Sequence, residues 1–109
     1  MSAALAFVHN TRNTIYVSSV TAWELAIKNR LGKPLEAAPL LEHYHRTLAA
    51  YGFTELSFTS THALLAGRLD HPHKDPFDRA LVAQAISQQV QLVSADPALR
   101  GFPGVTVLW

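Results

Sequence analysis

Residues 75–86 have the sequence Asp75-Pro76-Phe77-Asp78-Arg79-Ala80-Leu81-Val82-Ala83-Gln84-Ala85-Ile86 and predict the central helix of the protein. At about 100° of rotation per residue, one side of this helix carries the apolar residues Leu81, Val82, Ala85 and Ile86. Asp78 lies at the middle of the same stripe. A carboxylate directed toward a core must be hydrogen-bonded, paired or bound to a cation, because burying it alone is very costly. Two interpretations of Asp78 stay open, a helix N-cap and a functional acid.

The composition predicts a single globular domain spanning residues 1–109. Hydrophobic residues make up 49% of the chain and charged residues 16%, as in ordinary folded proteins. The net charge of +1 gives no overall field for nucleic acid, so any RNA contact would be local. Cysteine is absent from the sequence, which excludes disulfides, thiolate catalysis and cysteine-built zinc sites. With no signal pattern and no apolar run near the ~20 residues that cross a bilayer, we expect a cytoplasmic protein without a membrane partner.

Short apolar strands alternate with helices along the chain. Strands are predicted at residues 15–18, 53–58, 91–95 and 105–108. Helices are predicted at residues 20–30, 35–50, 60–69 and 78–89, with Ser18 or Ser19 and Thr59 or Ser60 as caps. Strands connected by helices form parallel sheets covered on both faces. The sequence therefore predicts an α/β fold, a parallel-sheet α/β/α sandwich.

The apolar spacing also predicts which side chains the flanking helices bury. On the helix at 20–30 the predicted inward stripe is Val20, Trp23, Ile27 and Leu31, with Glu24 inside it. On the helix after Thr59 the predicted inward face is Ala63, Leu64 and Ala66. His71 and His73 flank a proline, and without cysteines a solvated loop is favoured there over a zinc site.

Three carboxylates occupy positions from which they could converge on one edge of the sheet. Ligands of such folds bind beyond the carboxyl ends of the strands. Asp96 follows the strand at 91–95, Asp78 opens the helix before that strand, and Glu24 lies early in the helix after the strand at 15–18. Clustered carboxylates repel one another unless a cation neutralises them, and oxygen ligands favour Mg²⁺ or Mn²⁺ over zinc. Such a site is suited to phosphodiester hydrolysis.

Each of these residues also has a purely structural interpretation. Glu24 could pair with Lys28 four residues later on the helix. Asp96 and Asp75 each precede a proline, which is typical of turns. Lys28 and Arg79 could meet substrate phosphates in a cleft beside the acids, or belong to a solvated face. The functional interpretation depends on the three acids together.

Three segments resemble the PIN-domain ribonucleases, in particular toxins of the VapC type from type II toxin–antitoxin pairs. They are Val17-Ser18-Ser19-Val20-Thr21-Ala22-Trp23-Glu24-Leu25-Ala26-Ile27-Lys28, the stretch 75–85, and Leu92-Val93-Ser94-Ala95-Asp96-Pro97. By this resemblance the family's second, third and fourth acids fall on Glu24, Asp78 and Asp96. Asp75 is similar to an aspartate found in a subgroup of the family. By the resemblance it would support the metal ligands without itself binding the metal.

The resemblance implies Mg²⁺- or Mn²⁺-dependent endonucleolytic cleavage of RNA, in which a metal-activated water attacks a phosphodiester. It also implies homodimers and a small antitoxin protein that blocks the site. The family opens with a central strand ending in an aspartate, followed by a helix, and this chain begins in what resembles the tail of that helix. A chain lacking that strand and acid should bind metal more weakly and leave strand edges and apolar surface uncovered.

Two other functions stay open at this point. The first is a catalytically impaired PIN module that only binds an antitoxin or another toxin subunit. The second is a different acid-cluster α/β protein, such as a phosphotransfer or phosphatase domain with an aspartate as phosphoryl acceptor. Cleavage by the chain itself would exclude the first, and a trapped phosphoaspartate would favour the second.

Overall fold

The structure is a computed structural model that describes Val8 and residues 10–32 and 38–109. These residues belong to two compact units, one made of residues 14–57 and the other of residues 58–109 with the residues up to Asn13. A single domain over residues 1–109 stays a prediction. None of the described helices is both long and apolar enough to cross a membrane.

The unit of residues 14–57 pairs two short parallel strands. Its elements are β1 (Tyr16–Ser18), α1 (Ser19–Arg30), α2 (Ala38–Glu42), α3 (Tyr44–Ala50) and β2 (Thr54–Leu56). In the ladder Tyr16 lies opposite Thr54 and Ser18 opposite Leu56. Ser18 also caps α1, since its hydroxyl accepts a hydrogen bond from the N–H of Val20 at 3.1 Å. The predicted cap at Ser18 is confirmed.

Two predictions for this unit are wrong. The predicted helix at 35–50 is divided at His43, whose φ of −129° and ψ of 41° are not helical; its residues 35–37 lie outside the described chain. Trp23 and Leu31 are 63% and 56% exposed, although both were predicted to face inward. Trp23 lies about 60° around the helix from the buried Val20, and Leu31 follows the last helical residue. The buried side of α1 is therefore narrower than its apolar spacing predicts.

The hydroxyl of Tyr44 is buried at the start of α3. Its oxygen makes no hydrogen bond with any residue that the structure describes. Burial raises the pKa of Tyr44 above its ordinary value, and the negative charge of Glu55 raises this pKa further. An unsatisfied buried hydroxyl costs about 1–3 kcal/mol, so this hydroxyl group lowers the stability of the fold at neutral pH.

We expect Tyr44→Phe to raise the free energy of unfolding by about 1 kcal/mol at pH 7, because it removes the unsatisfied hydroxyl. A pKa that is higher in the folded state gives stability that is present below about pH 10 and is lost as the pH rises through the folded value. The phenylalanine variant should lack this alkaline loss. Urea unfolding at pH 7 and above pH 10 measures both effects. Tyr51→Phe, at a tyrosine that is 71% exposed, is the matched control, and equal shifts in both variants would contradict the assignment.

The other unit is built around two helices and a second parallel ladder. Its elements are α4 (Ser60–Arg68), α5 (Pro76–Gln88), β3 (Leu92–Val93), a 3₁₀ helix (Pro97–Gly101) and β4 (Val107–Leu108). Leu92 lies opposite Val107 and Val93 opposite Leu108. The core consists of the buried residues Val82, Leu99 and Phe102, with Leu69, Ile86, Leu92, Val105 and Val107 packed against them. The predicted central helix therefore supplies the largest fully buried side chain among the described residues, Val82.

Helix α5 begins earlier than predicted, at Pro76 instead of Asp78. Asp75 is the N-cap, since its Oδ1 accepts hydrogen bonds from the N–H groups of Phe77 at 2.9 Å and of Asp78 at 3.2 Å. Proline suits the first helical position because it lacks an N–H that would need a partner there. Asp78 is thus not the cap; it lies in the first turn, where it is available for another role.

The buried face of α4 also differs from the prediction. Thr59 caps this helix as predicted, but Ala63 is exposed and Leu64 is 56% exposed. The buried positions are His62 and Ala66, four residues apart on one side of the helix. The prediction assigned the inward face to apolar residues, but the buried side chain of the first turn is a histidine, His62.

The predicted α/β class and the parallel direction of the strands are correct, but the described strands do not form one continuous sheet. Both strand pairs are parallel, as an α/β protein requires. The described strands nevertheless form two separate two-stranded sheets instead of one. Each ladder closes within its own unit, with β1 paired to β2 and β3 to β4. The convergence of acids on one edge of one sheet therefore has no direct support from the described ladders.

Candidate active site

Asp78 has one engaged and one available carboxylate oxygen. Its Oδ2 lies 2.8 Å from Nε2 of His73, and the two side chains are 22% and 23% exposed. Its Oδ1 accepts no hydrogen bond from any residue in the described part of the chain. Asp75 holds the backbone of Asp78 through the cap bond to its N–H. The carboxylate is therefore fixed at the first turn of α5 with one oxygen that can bind a cation.

Asp96 combines a structural bond with a second available oxygen. It is exposed and caps the 3₁₀ helix, where Oδ1 accepts a hydrogen bond from the N–H of Ala98 at 2.9 Å. Its own N–H donates to the hydroxyl of Ser94 at 3.1 Å. The turn interpretation of Asp96 is thus correct, but a carboxylate with a capping oxygen keeps the other for a ligand.

Glu24 lies in the other unit and is paired with Lys28. Its Oε2 is 3.3 Å from the Lys28 Nζ, and the side chains are 23% and 43% exposed. Pairs of this kind at i and i+4 contribute only about 0.3–0.5 kcal/mol, so the contact explains little stability. Lys28 places a positive charge beside Glu24, and its role as a phosphate contact stays a prediction.

Arg79 ties the end of α4 to the loop that precedes α5. It donates hydrogen bonds to the carbonyl oxygens of Ala66 (3.0 Å), Leu69 (2.7 Å), His71 (2.7 Å) and His73 (3.0 Å). A guanidinium has five N–H groups. Four of them donate these hydrogen bonds, so one N–H group remains that could contact a phosphate. The structure gives Arg79 an anchoring role that the sequence did not predict, and its contact with substrate stays a prediction.

The loop at 70–75 is only partly the solvated segment that the sequence predicted, since four of its residues are exposed but His71 and His73 are half-buried. The ring of His71 stacks on Phe102 with centroids 4.0 Å apart, and His73 meets the same phenylalanine edge-on at 5.7 Å. The His71 Nδ1 accepts a hydrogen bond from the N–H of His73 at 3.2 Å. Gly101 permits this packing, because a Cβ there would lie 3.1 Å from the Nε2 of His71. The contact between His73 and Asp78 was not predicted from the sequence. The available signal was the pair of prolines, Pro72 and Pro76, which restrict the backbone of the loop.

His62 is a second residue that the sequence analysis missed. It is 4% exposed and closes a capping box, with its Nδ1 accepting from the N–H of Thr59 at 3.1 Å. Two side-chain amides of α5 lie near the ring, that of Gln84 at 3.3 Å and that of Gln88 at 3.4 Å. The position three residues after a threonine cap was the available signal. This network joins α4 to α5 and is a structural feature of the core.

The donor chemistry of the acids fits a hard divalent cation. Asp78, Asp96 and Glu24 offer only carboxylate oxygens, which Mg²⁺ and Mn²⁺ prefer. Within either unit, the described residues bring no three histidine, aspartate or glutamate side chains together as a ready metal site. The three acids as shared ligands of one ion therefore stay a prediction.

A family model for the PIN domain matches residues 2–104 of the chain. The protein therefore belongs to the PIN domain family. PIN domains are generally nucleases, often toxins, and typically depend on a divalent metal. Comparison with curated proteins and with solved structures finds no significant match.

Proposed function

We propose that this protein is a metal-dependent endoribonuclease of the VapC type, the toxin of a type II toxin–antitoxin pair that acts in the cytoplasm. The observation that carries the proposal is the half-buried Asp78 of a PIN domain, held by His73 through one oxygen with the other available. A carboxylate kept in this position, with no lysine or arginine of the described residues paired to it, is well suited to bind a cation.

Glu24, Asp78 and Asp96 are the residues that would hold Mg²⁺ or Mn²⁺. When bound, such an ion activates water and neutralises charge on a phosphodiester. Lys28 adds positive charge next to Glu24 and would orient a substrate phosphate. Asp75 supports the site indirectly, since its carboxylate fixes the backbone N–H of Asp78.

The proposed partners are an RNA substrate, a small antitoxin protein and a second copy of the chain. Large exposed apolar side chains in both units support contacts with proteins. They include Trp23 and Tyr51 in one unit and Leu64 and Trp109 in the other.

Incubation of the purified chain with end-labelled RNA tests the proposal. We expect endonucleolytic fragments with Mg²⁺ or Mn²⁺ and none with EDTA. Glu24→Gln should lower the cleavage rate by about 100-fold or more, because it removes a charged ligand oxygen. Glu42→Gln, at an exposed glutamate of the same unit, is the matched control and should cleave normally.

Three outcomes would contradict the proposal. Full activity of Glu24→Gln would reject this acid as a ligand. No cleavage by a folded chain that still binds an antitoxin would indicate the impaired binding module. An aspartate phosphorylated by a small phosphodonor would indicate a phosphotransfer domain.

A further inference from the structure

We propose that His73 is a positioning residue that orients the Asp78 carboxylate for metal binding, an inference that rests on the proposed function. The contact is 2.8 Å between Nε2 and Oδ2. An ionised carboxylate can only accept hydrogen bonds, so the imidazole N–H donates to it. With Oδ2 held in this way, rotation of the carboxyl group is restricted and Oδ1 stays in one place.

The imidazole can perform this role because its own position is fixed from two sides. Arg79 binds the carbonyl oxygen of His73 at 3.0 Å and that of His71 at 2.7 Å, which holds the backbone. The His73 ring packs nearly perpendicular to the ring of Phe102, which is only 3% exposed. The side chain therefore loses little additional conformational entropy when it binds Asp78.

Two simpler explanations of the contact lead to different expectations. An ordinary surface pair would contribute little to stability and have no effect on the affinity for a metal ion. A histidine that is itself a metal ligand would favour Ni²⁺ strongly over Mn²⁺, because imidazole affinity rises along that series. A positioning residue affects both ions to a similar extent, since it acts through the carboxylate. Residues that orient metal ligands typically change metal affinity about 10–100-fold.

Isothermal titration of the full chain with Mn²⁺ and Ni²⁺ distinguishes these cases. We expect His73→Ala to weaken both affinities about 10-fold or more. His73→Gln should recover most of the loss, because its side-chain amide nitrogen can reach the place of Nε2 and donate to Oδ2. His43→Ala, at an exposed histidine of the other unit, should bind both ions like the unchanged chain. Circular dichroism checks that each variant is folded, and His73→Asn, whose shorter amide cannot reach, replaces the alanine variant if that one unfolds.

These measurements distinguish a failure of the positioning role from a failure of the proposed function. If Asp78→Asn weakens Mn²⁺ binding and His73→Ala does not, the positioning role is wrong and the proposed function stands. If the alanine and glutamine variants both lose far more Ni²⁺ than Mn²⁺ affinity, His73 is a ligand and the positioning role is again wrong. If Asp78→Asn binds Mn²⁺ like the unchanged chain, or the unchanged chain binds none, the proposed function itself fails.

Discussion

Replacing Asp78 with asparagine should abolish metal-dependent RNA cleavage while leaving the protein folded. The substitution keeps the shape of the side chain and an oxygen that can accept from His73, but it removes the negative charge that a hard cation requires. We expect Mn²⁺ affinity to fall by about 100-fold or more. Stability should change by only about 0.3–1 kcal/mol, the effect of one charge in the first turn of a helix. Titration calorimetry, RNA cleavage and urea unfolding measure the three effects.

Asp70→Asn is the matched control for this variant. Asp70 is an exposed aspartate at the start of the loop at 70–75, and its replacement should leave metal affinity and cleavage unchanged. Equal losses in the two variants would indicate a general effect of charge. Normal cleavage by Asp78→Asn would reject the assignment of Asp78 as a metal ligand.

Replacing Arg79 with alanine should lower the free energy of unfolding by about 3–5 kcal/mol. The guanidinium makes hydrogen bonds of 2.7–3.0 Å to the carbonyl oxygens of Ala66, Leu69, His71 and His73. A hydrogen bond to a charged group contributes about 1.5–3 kcal/mol, and bonds from one side chain are not additive. Because a domain is typically stable by only about 5–15 kcal/mol, the variant should be close to unfolding at 37 °C. The midpoint of urea unfolding checks this.

Lysine at position 79 should recover only part of the stability, since an ammonium group cannot reproduce the fork of a guanidinium. Arg100→Ala is the control, at an exposed arginine of the same unit, and should shift stability by no more than about 0.5 kcal/mol. Equal stability of Arg79→Ala and Arg100→Ala would contradict the anchoring role.

Patterns that are local in the chain were predictable. Ser18 and Thr59 are caps because a hydroxyl residue before an apolar-periodic run satisfies N–H groups of its own first turn. The central helix was predicted because its apolar spacing continues over three turns. Its start was predicted two residues too late, at Asp78. The sequence Asp75-Pro76, which caps the helix, is also typical of an ordinary turn.

Contacts that depend on how the chain folds back were not predictable. The carbonyl groups bound by Arg79 carry no signal in the side-chain sequence, and they decide where His73 lies. The packing of His71 on Phe102 joins residues 31 positions apart, so no local rule places that loop against the core. The same limit applies to the acids, because periodicity assigns Glu24 and Asp78 to helices but not to a common ligand set.

Arg79 directly follows Asp78 in the first turn of α5, and this adjacency predicts how the protein responds to heat. Local opening of the loop at 70–75 would break the contacts of Arg79 with the loop carbonyl groups and separate His73 from Asp78 in a single cooperative event. Loss of the proposed metal site on heating should therefore precede the melting of the helices, and cooling should restore metal binding without refolding of the chain.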